Sequence, residues 1–279
     1  MENVTVSCQW LEEHLHDDNI VILDASMAKV VGKTPLEYPT LQVIPTSLRC
    51  DLEKDLCDLQ SESVNAFPTK QQFETALAKF GITKHNTVVV YDNQGVYSSP
   101  RAWWIFKSMG FDNVCILDGG LPQWLKEHRE VDTKHKVYAN DNSNVFTATY
   151  QANNVCHADY VLGTIADEHV TVVDVRSPSR FSGIEKEPRV GVRSGHIPNA
   201  INIPFGQVLD GFTFKTPEAL TTLFNDRLPD TTNQLVFTCG SGITACIVLA
   251  AAHITGFTDL VLYDGSWSEW GSSNYPIET

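Results

Sequence analysis

Short apolar runs punctuate the chain, and each is followed by polar or amphipathic residues. Ile20-Val21-Ile22-Leu23 ends in Asp24, and Val170-Thr171-Val172-Val173 ends in Asp174. Both runs are short and rich in β-branched residues, the pattern of buried strands. Thr87-Val88-Val89-Val90-Tyr91-Asp92 and Gln234-Leu235-Val236-Phe237-Thr238-Cys239 predict a further strand each, as do 114–117 and 260–263. Helix-like stretches follow, from Pro100 to Met109 before Gly110 and from Ile243 to Thr255 before Gly256. Glycine just past the last turn is a common helix stop. Pro-marked segments announce one more strand in each half. These are Gly195-His196-Ile197-Pro198-Asn199-Ala200-Ile201-Asn202-Ile203 and the poorer Val43-Ile44-Pro45-Thr46-Ser47-Leu48-Arg49-Cys50.

The landmarks come in the same order twice. Asp118-Gly119-Gly120 in the first half answers Asp264-Gly265-Ser266 in the second, and Trp124 and Trp270 each stand six residues after the Asp. Strands alternating with helices predict an α/β fold of two tandem domains, each a mainly parallel sheet flanked by helices. The expected division is 1–136 for the first domain, 137–154 for a polar linker and 155–279 for the second.

Composition narrows the function classes. The 279 residues suit two domains at roughly 150 residues each. With 34 acidic and 20 basic side chains the net charge is −14. Such a surface repels phosphate backbones and anionic lipid, so neither nucleic acid nor a membrane is an expected partner. The longest apolar stretch, Ala245 to Ile254, is too short for a span. No basic start followed by an apolar run marks the N-terminus, and the expected location is cytoplasmic. The seven cysteines contain no Cys-x-x-Cys pair and read as reduced thiols. No metal site and no organic cofactor are expected, because neither ligand spacing nor a phosphate-binding glycine loop occurs.

Candidate chemistry gathers at the carboxyl ends of the predicted strands, where parallel sheets bind ligands. The second half places Cys239-Gly240-Ser241-Gly242-Ile243-Thr244 there, just before an apolar helix. Glycines let successive N–H groups converge, and a helix N-terminus adds positive potential. Both favour an anionic sulfur, either a nucleophilic thiolate or a persulfide. The same pattern also fits a buried cysteine before a tight turn, and Cys246 reads as core packing. Arg176, Arg180, Lys186, Arg189 and Arg193 crowd one Gly- and Pro-rich stretch, opposed only by Glu185 and Glu187. This is an anion site or a solvated loop. Phosphate-ester chemistry is disfavoured, since the position six after Cys239 is Ala245 and no Arg or Lys follows before Tyr263. His196 is a general base by residue type only, and its turn suits a structural hydrogen bond better. His14, His16, His85, His128, His135 and His157 sit among polar residues and read as surface.

Taken together, these residues resemble the tandem-domain sulfurtransferases, the rhodanese and 3-mercaptopyruvate sulfurtransferase family. The resemblance runs from about Val4 to Trp270. It rests on the repeat, Gly195-His196-Ile197-Pro198, the Cys239 loop, Asp264-Gly265-Ser266-Trp267, Ser99-Pro100-Arg101-Ala102-Trp103-Trp104 and Asp118-Gly119-Gly120. It implies two rhodanese-like domains, with the catalytic cysteine, Cys239, in the second; Asp92 stands in its place in the first. The loop Gly240, Ser241, Gly242, Ile243 and Thr244 is similar to that of the mercaptopyruvate enzymes, whereas thiosulfate-preferring members carry a basic loop. Arg180 and Arg189 match the arginines that hold substrate in those enzymes. The activity implied is transfer of sulfur from 3-mercaptopyruvate through a Cys239 persulfide to a small thiol, thioredoxin or cyanide, with release of pyruvate. A thiosulfate sulfurtransferase using the same cysteine and a non-enzymatic sulfur-carrier or binding module are the alternatives. Two departures stand out. Gln42-Val43-Ile44-Pro45-Thr46-Ser47 replaces the usual Gly-His-Ile-Pro-Gly-Ala, and Asn65-Ala66-Phe67-Pro68 has no His where some relatives place one to work with the loop serine.

Overall fold

The computed structural model describes residues 4–138, 146–229 and 232–279. Part of the expected linker, 139–145, lies outside the described residues. The chain forms two compact units. The first comprises 1–59, 67–151 and 211–214; the second comprises 60–66, 152–210 and 215–279.

In the first unit β1 (Thr5–Val6), α1 (Cys8–Glu13), β2 (Ile20–Asp24), β3 (Leu48–Arg49), α2 (Lys70–Phe80), β4 (Thr87–Tyr91), α3 (Ser99–Ser108), β5 (Val114–Leu117) and α4 (Gly120–Lys126) follow in order. The five strands form one sheet in the order β1-β5-β4-β2-β3, and every pairing in it is parallel. Both faces of such a sheet are buried, which is why β2 and β4 are continuous apolar runs. Leu11, Ile22, Val89, Tyr91, Leu117 and Trp124 pack on one another as part of the core.

The second unit repeats the plan with β6 (Val155–Cys156), α5 (Ala158–Thr164), β7 (Val170–Asp174), α6 (Pro178–Phe181), β8 (Ile201–Asn202) and β9 (Leu209–Asp210). The stretch 211–214, which clusters with the first unit, carries β10 (Thr213–Phe214). Then come α7 (Pro217–Arg227), β11 (Gln234–Thr238), α8 (Ala245–Ile254), β12 (Leu260–Tyr263) and α9 (Ser266–Trp270). The sheet order is β6-β12-β11-β7-β8, again parallel throughout. Replacing each strand by its counterpart in the repeat turns one order into the other, so the α/β class with parallel sheets holds in both units. No helix among the described residues is long and apolar enough to cross a membrane.

The strands and helices that the apolar pattern predicted fall where it put them, with differences at their ends, while β1, β6, α1, α2, α5 and α7 were not anticipated. β11 stops at Thr238 and α8 starts at Ala245, which makes 239–244 a loop rather than strand and helix ends. α8 is apolar on all sides, and its residues Ala245 to Ala252 are all buried, as expected of a helix enclosed on every face. Cys246 is among them. Two histidines read as surface are more engaged. His135 Nε2 lies 2.8 Å from Asp24 Oδ2, and His14 stacks on Trp10.

Candidate active site

Cys239 sits at the carboxyl end of β11, the central strand of its sheet, and is 2% exposed. Its loop is pinned through carbonyl groups and one N–H. Cys239 N–H donates to Ser266 Oγ (3.3 Å), whose hydroxyl donates to Tyr263 O (3.0 Å). The Cys239 carbonyl accepts from Trp267 N–H, and the Gly240 carbonyl from Ser268 N–H, both at 3.0 Å. In contrast, the N–H groups of Gly240, Ser241, Ile243, Thr244 and Ala245 have no hydrogen-bond partner among the described residues. Gly242 turns the loop at φ +77°, a conformation open to glycine at little cost.

The first unit shows what such a loop holds. Asp92 follows β4 as Cys239 follows β11, and Gly95 (φ +106°) matches Gly242. Leu121 N–H donates to Asp92 O at 3.0 Å, as Trp267 N–H does to Cys239 O. The Asp92 carboxylate is fully buried and accepts from the N–H groups of Gln94, Tyr97, Ser98 and Ser99 at 2.8–2.9 Å, and from the Ser99 hydroxyl. Burial pushes the Asp92 carboxyl above the usual carboxylate range, and these hydrogen bonds pull it part of the way back. The loop therefore wraps an anion carried by its own first residue. Ser241, Thr244 and Ala245 occupy the places of Gln94, Tyr97 and Ser98, and the first residue there is a thiol.

Two arginines reach the loop. A Cβ placed on Gly240 would lie 3.3 Å from Arg180 Nη2, and 3.9 Å from both Arg180 Nη1 and Arg189 Nη1. A side chain at Gly240 would therefore press on the Arg180 guanidinium by a few tenths of an ångström. Arg189 Nη1 donates to Gly240 O at 3.4 Å, its one side-chain hydrogen bond among the described residues, which leaves the rest of its planar fork able to meet a ligand. Arg180 is aimed by Glu187, whose carboxylate receives Arg180 Nε (3.1 Å) and Nη2 (2.5 Å). Glu187, with a side chain 3% exposed, also receives Arg176 Nη1 at 2.8 Å. Arg176 in turn is clamped on Asp174 and Gly195 O and lies over the Trp267 ring. Burial works against the Arg180 charge, but Glu187, with Cys239 and Asp174 further off, holds its pKa above that of an ordinary arginine.

The structure thus brings Cys239, the loop 240–244, Arg180 and Arg189 to one place. Ile243 contributes only its backbone, since its side chain is buried. His196 stands apart, with Nδ1 2.8 Å from Phe181 O and its ring stacked on Phe181. Two functional candidates escaped the sequence reading. Glu187 was visible only as opposing charge in a basic stretch. Asn65 donates to Ser241 Oγ at 3.0 Å across a sequence separation of 176, and only its place near Pro68 hinted at a role.

Comparison with known proteins agrees with the repeated fold. The rhodanese-like domain family matches residues 7–127 and again 157–273. Thiosulfate/3-mercaptopyruvate sulfurtransferase 1, mitochondrial, of Arabidopsis thaliana is 33% identical over 98% of this chain and 78% of its own length. The 3-mercaptopyruvate sulfurtransferase of Escherichia coli K12 is 32% identical over 98% and 97%. Among solved structures, the 3-mercaptopyruvate sulfotransferase SseA from Escherichia coli superposes with a TM-score of 0.82 at 30% identity, covering 96% of this chain and 100% of that one. The chain belongs to the rhodanese-like domain family and carries the domain twice.

Proposed function

We propose that the chain is a 3-mercaptopyruvate sulfurtransferase working through Cys239. The observation that carries this reading is the meeting of two guanidinium groups, Arg180 and Arg189, at the residue next to a cysteine whose loop offers unpaired N–H groups. A 2-oxo acid bearing a thiol matches this set. Its carboxylate and carbonyl suit planar forks, and its sulfur then lies against Cys239.

The thiolate of Cys239 attacks the donor sulfur and an S–S bond forms. The C–S bond breaks and its electron pair passes into the enolate of pyruvate, which takes up a proton. Arg180 and Arg189 position the donor and offset charge growing on the carbonyl oxygen. The loop N–H groups, with the hydroxyls of Ser241 and Thr244, steady the persulfide anion. An acceptor then attacks the outer sulfur, and the S–S pair returns to Cys239 as thiolate. The acceptor is a small thiol, thioredoxin or cyanide, and the scheme is ping-pong. None of the seven cysteines is in a disulfide, and a cytoplasmic setting that keeps thiols reduced suits this chemistry.

Thiosulfate is the second donor to compare, because the Arabidopsis relative is named for both. Pyruvate release from 3-mercaptopyruvate, with dithiothreitol as acceptor, tests the reading. Wild type is expected to turn over and Cys239→Ser to be inactive. Comparable release by both proteins would refute it.

A further inference from the structure

Asn65 lies in the 60–66 stretch of the second unit and adopts φ +57°, a left-handed conformation that asparagine tolerates better than most side chains. Its amide nitrogen faces Ser241 twice, at 3.0 Å from Oγ and 3.3 Å from the backbone carbonyl oxygen. A carbonyl can only accept, so the Asn65 atom between them is the nitrogen, and Ser241 Oγ accepts as well. Among the described residues the Ser241 hydroxyl has no further partner. Its proton is therefore directed away from Asn65 and left for an acceptor at the loop. The charged and titratable groups named at this loop are Cys239, Arg180 and Arg189. Neither Asn65 nor Ser241 changes charge near neutrality.

We propose that Asn65 is a positioning residue that holds Ser241 as a fixed, non-titrating hydrogen-bond donor to the anionic sulfur at Cys239. This rests on the proposed chemistry of Cys239. It adds that the loop serine works without proton transfer and that its partner comes from a distant segment of the chain. In the proposed scheme the sulfur that reacts at Cys239 is anionic when it attacks the donor and anionic again as persulfide. A hydroxyl held in one orientation serves both states, and a freely rotating one is ordered only at a cost in entropy.

The test is a double-mutant cycle on the single-turnover rate of sulfur loading from 3-mercaptopyruvate. Asn65→Gly removes the amide while suiting the left-handed backbone. Asn65→Gly and Ser241→Ala are each expected to slow loading about tenfold, and the double variant no further. Losses that multiply would overturn the proposal. Asn65→His supplies a second arm, since histidine also enters this backbone region and titrates near neutrality. It should give loading a pH-dependent limb near pH 6.5 that is absent from wild type and abolished by adding Ser241→Ala. A limb that survives Ser241→Ala would also refute coupling through the serine. The same cycle read by iodoacetamide modification of Cys239, identified by its loss in Cys239→Ser, needs no sulfur donor. If wild type fails to load sulfur, the proposed function falls, and the alkylation cycle still decides whether Asn65 acts through Ser241.

Discussion

Glu187 shows how one residue can set the properties of another. A buried carboxylate shared by two arginines removes the freedom of Arg180 to swing toward solvent and leaves its remaining N–H groups toward Gly240. Glu187→Gln keeps an acceptor but removes the charge between two buried cations. Breaking such an arrangement costs about 3 kcal/mol, to be read by urea denaturation. It should also raise KM for 3-mercaptopyruvate more than it lowers kcat, because the cysteine loop is untouched. Unchanged KM with a tenfold lower kcat would place Glu187 in the chemical step instead. Arg189→Lys keeps the charge and loses the fork. It is expected to lower kcat/KM on the order of 10-fold to 100-fold, and full activity would show that a point charge suffices there.

Among the elements, the turn from strand to helix matters most. In the first unit this turn is filled by its own aspartate; in the second it holds a thiol. The comparison predicts opposite outcomes for truncation. Asp92→Ala leaves the N–H groups of Gln94, Tyr97, Ser98 and Ser99 buried without an acceptor, with an expected loss of about 3 kcal/mol in stability. Cys239→Ala should cost far less, since its loop N–H groups are unpaired already; equal losses in urea denaturation would contradict the equivalence of the loops. Strand cores and the loop glycines were legible in the sequence, because each depends on local pattern or local spacing, whereas Arg180 and Arg189 were singled out of a basic stretch only by the family resemblance. α2 and α7 were not anticipated, although Thr69 with Gln72 and Thr216 before Pro217 cap their starts. The partnership of Asn65 with Ser241 was not legible, since nothing in either segment's own pattern specifies a neighbour so far away in the chain.

At the scale of the molecule, the same domain plan occurs twice, and the central strand runs into Asp92 in one copy and into Cys239 in the other. The copy with Asp92 carries buried carboxylates that make stability depend on pH. Burial raises the pKa of Asp118 to about 6, with the Phe214 N–H pulling the other way. An unfolded aspartate titrates near 3.9. Between these values the folded state binds more protons than the unfolded one, so stability falls as pH rises from about 4 to about 6 and the penalty is complete above that. Asp118→Asn should flatten this fall and raise Tm at pH 7 but not at pH 3.5, and an equal change at both would rule out ionisation as its cause. The central claim concerns the other copy, that Cys239 takes sulfur from 3-mercaptopyruvate. Intact-protein mass spectrometry after brief exposure to 3-mercaptopyruvate or thiosulfate tests it most directly. A gain of about 32 Da, one sulfur, on wild type but not on Cys239→Ser, and faster with 3-mercaptopyruvate, is the predicted result. No gain from either donor on folded, reduced protein, or an equal gain on Cys239→Ser, would contradict the account.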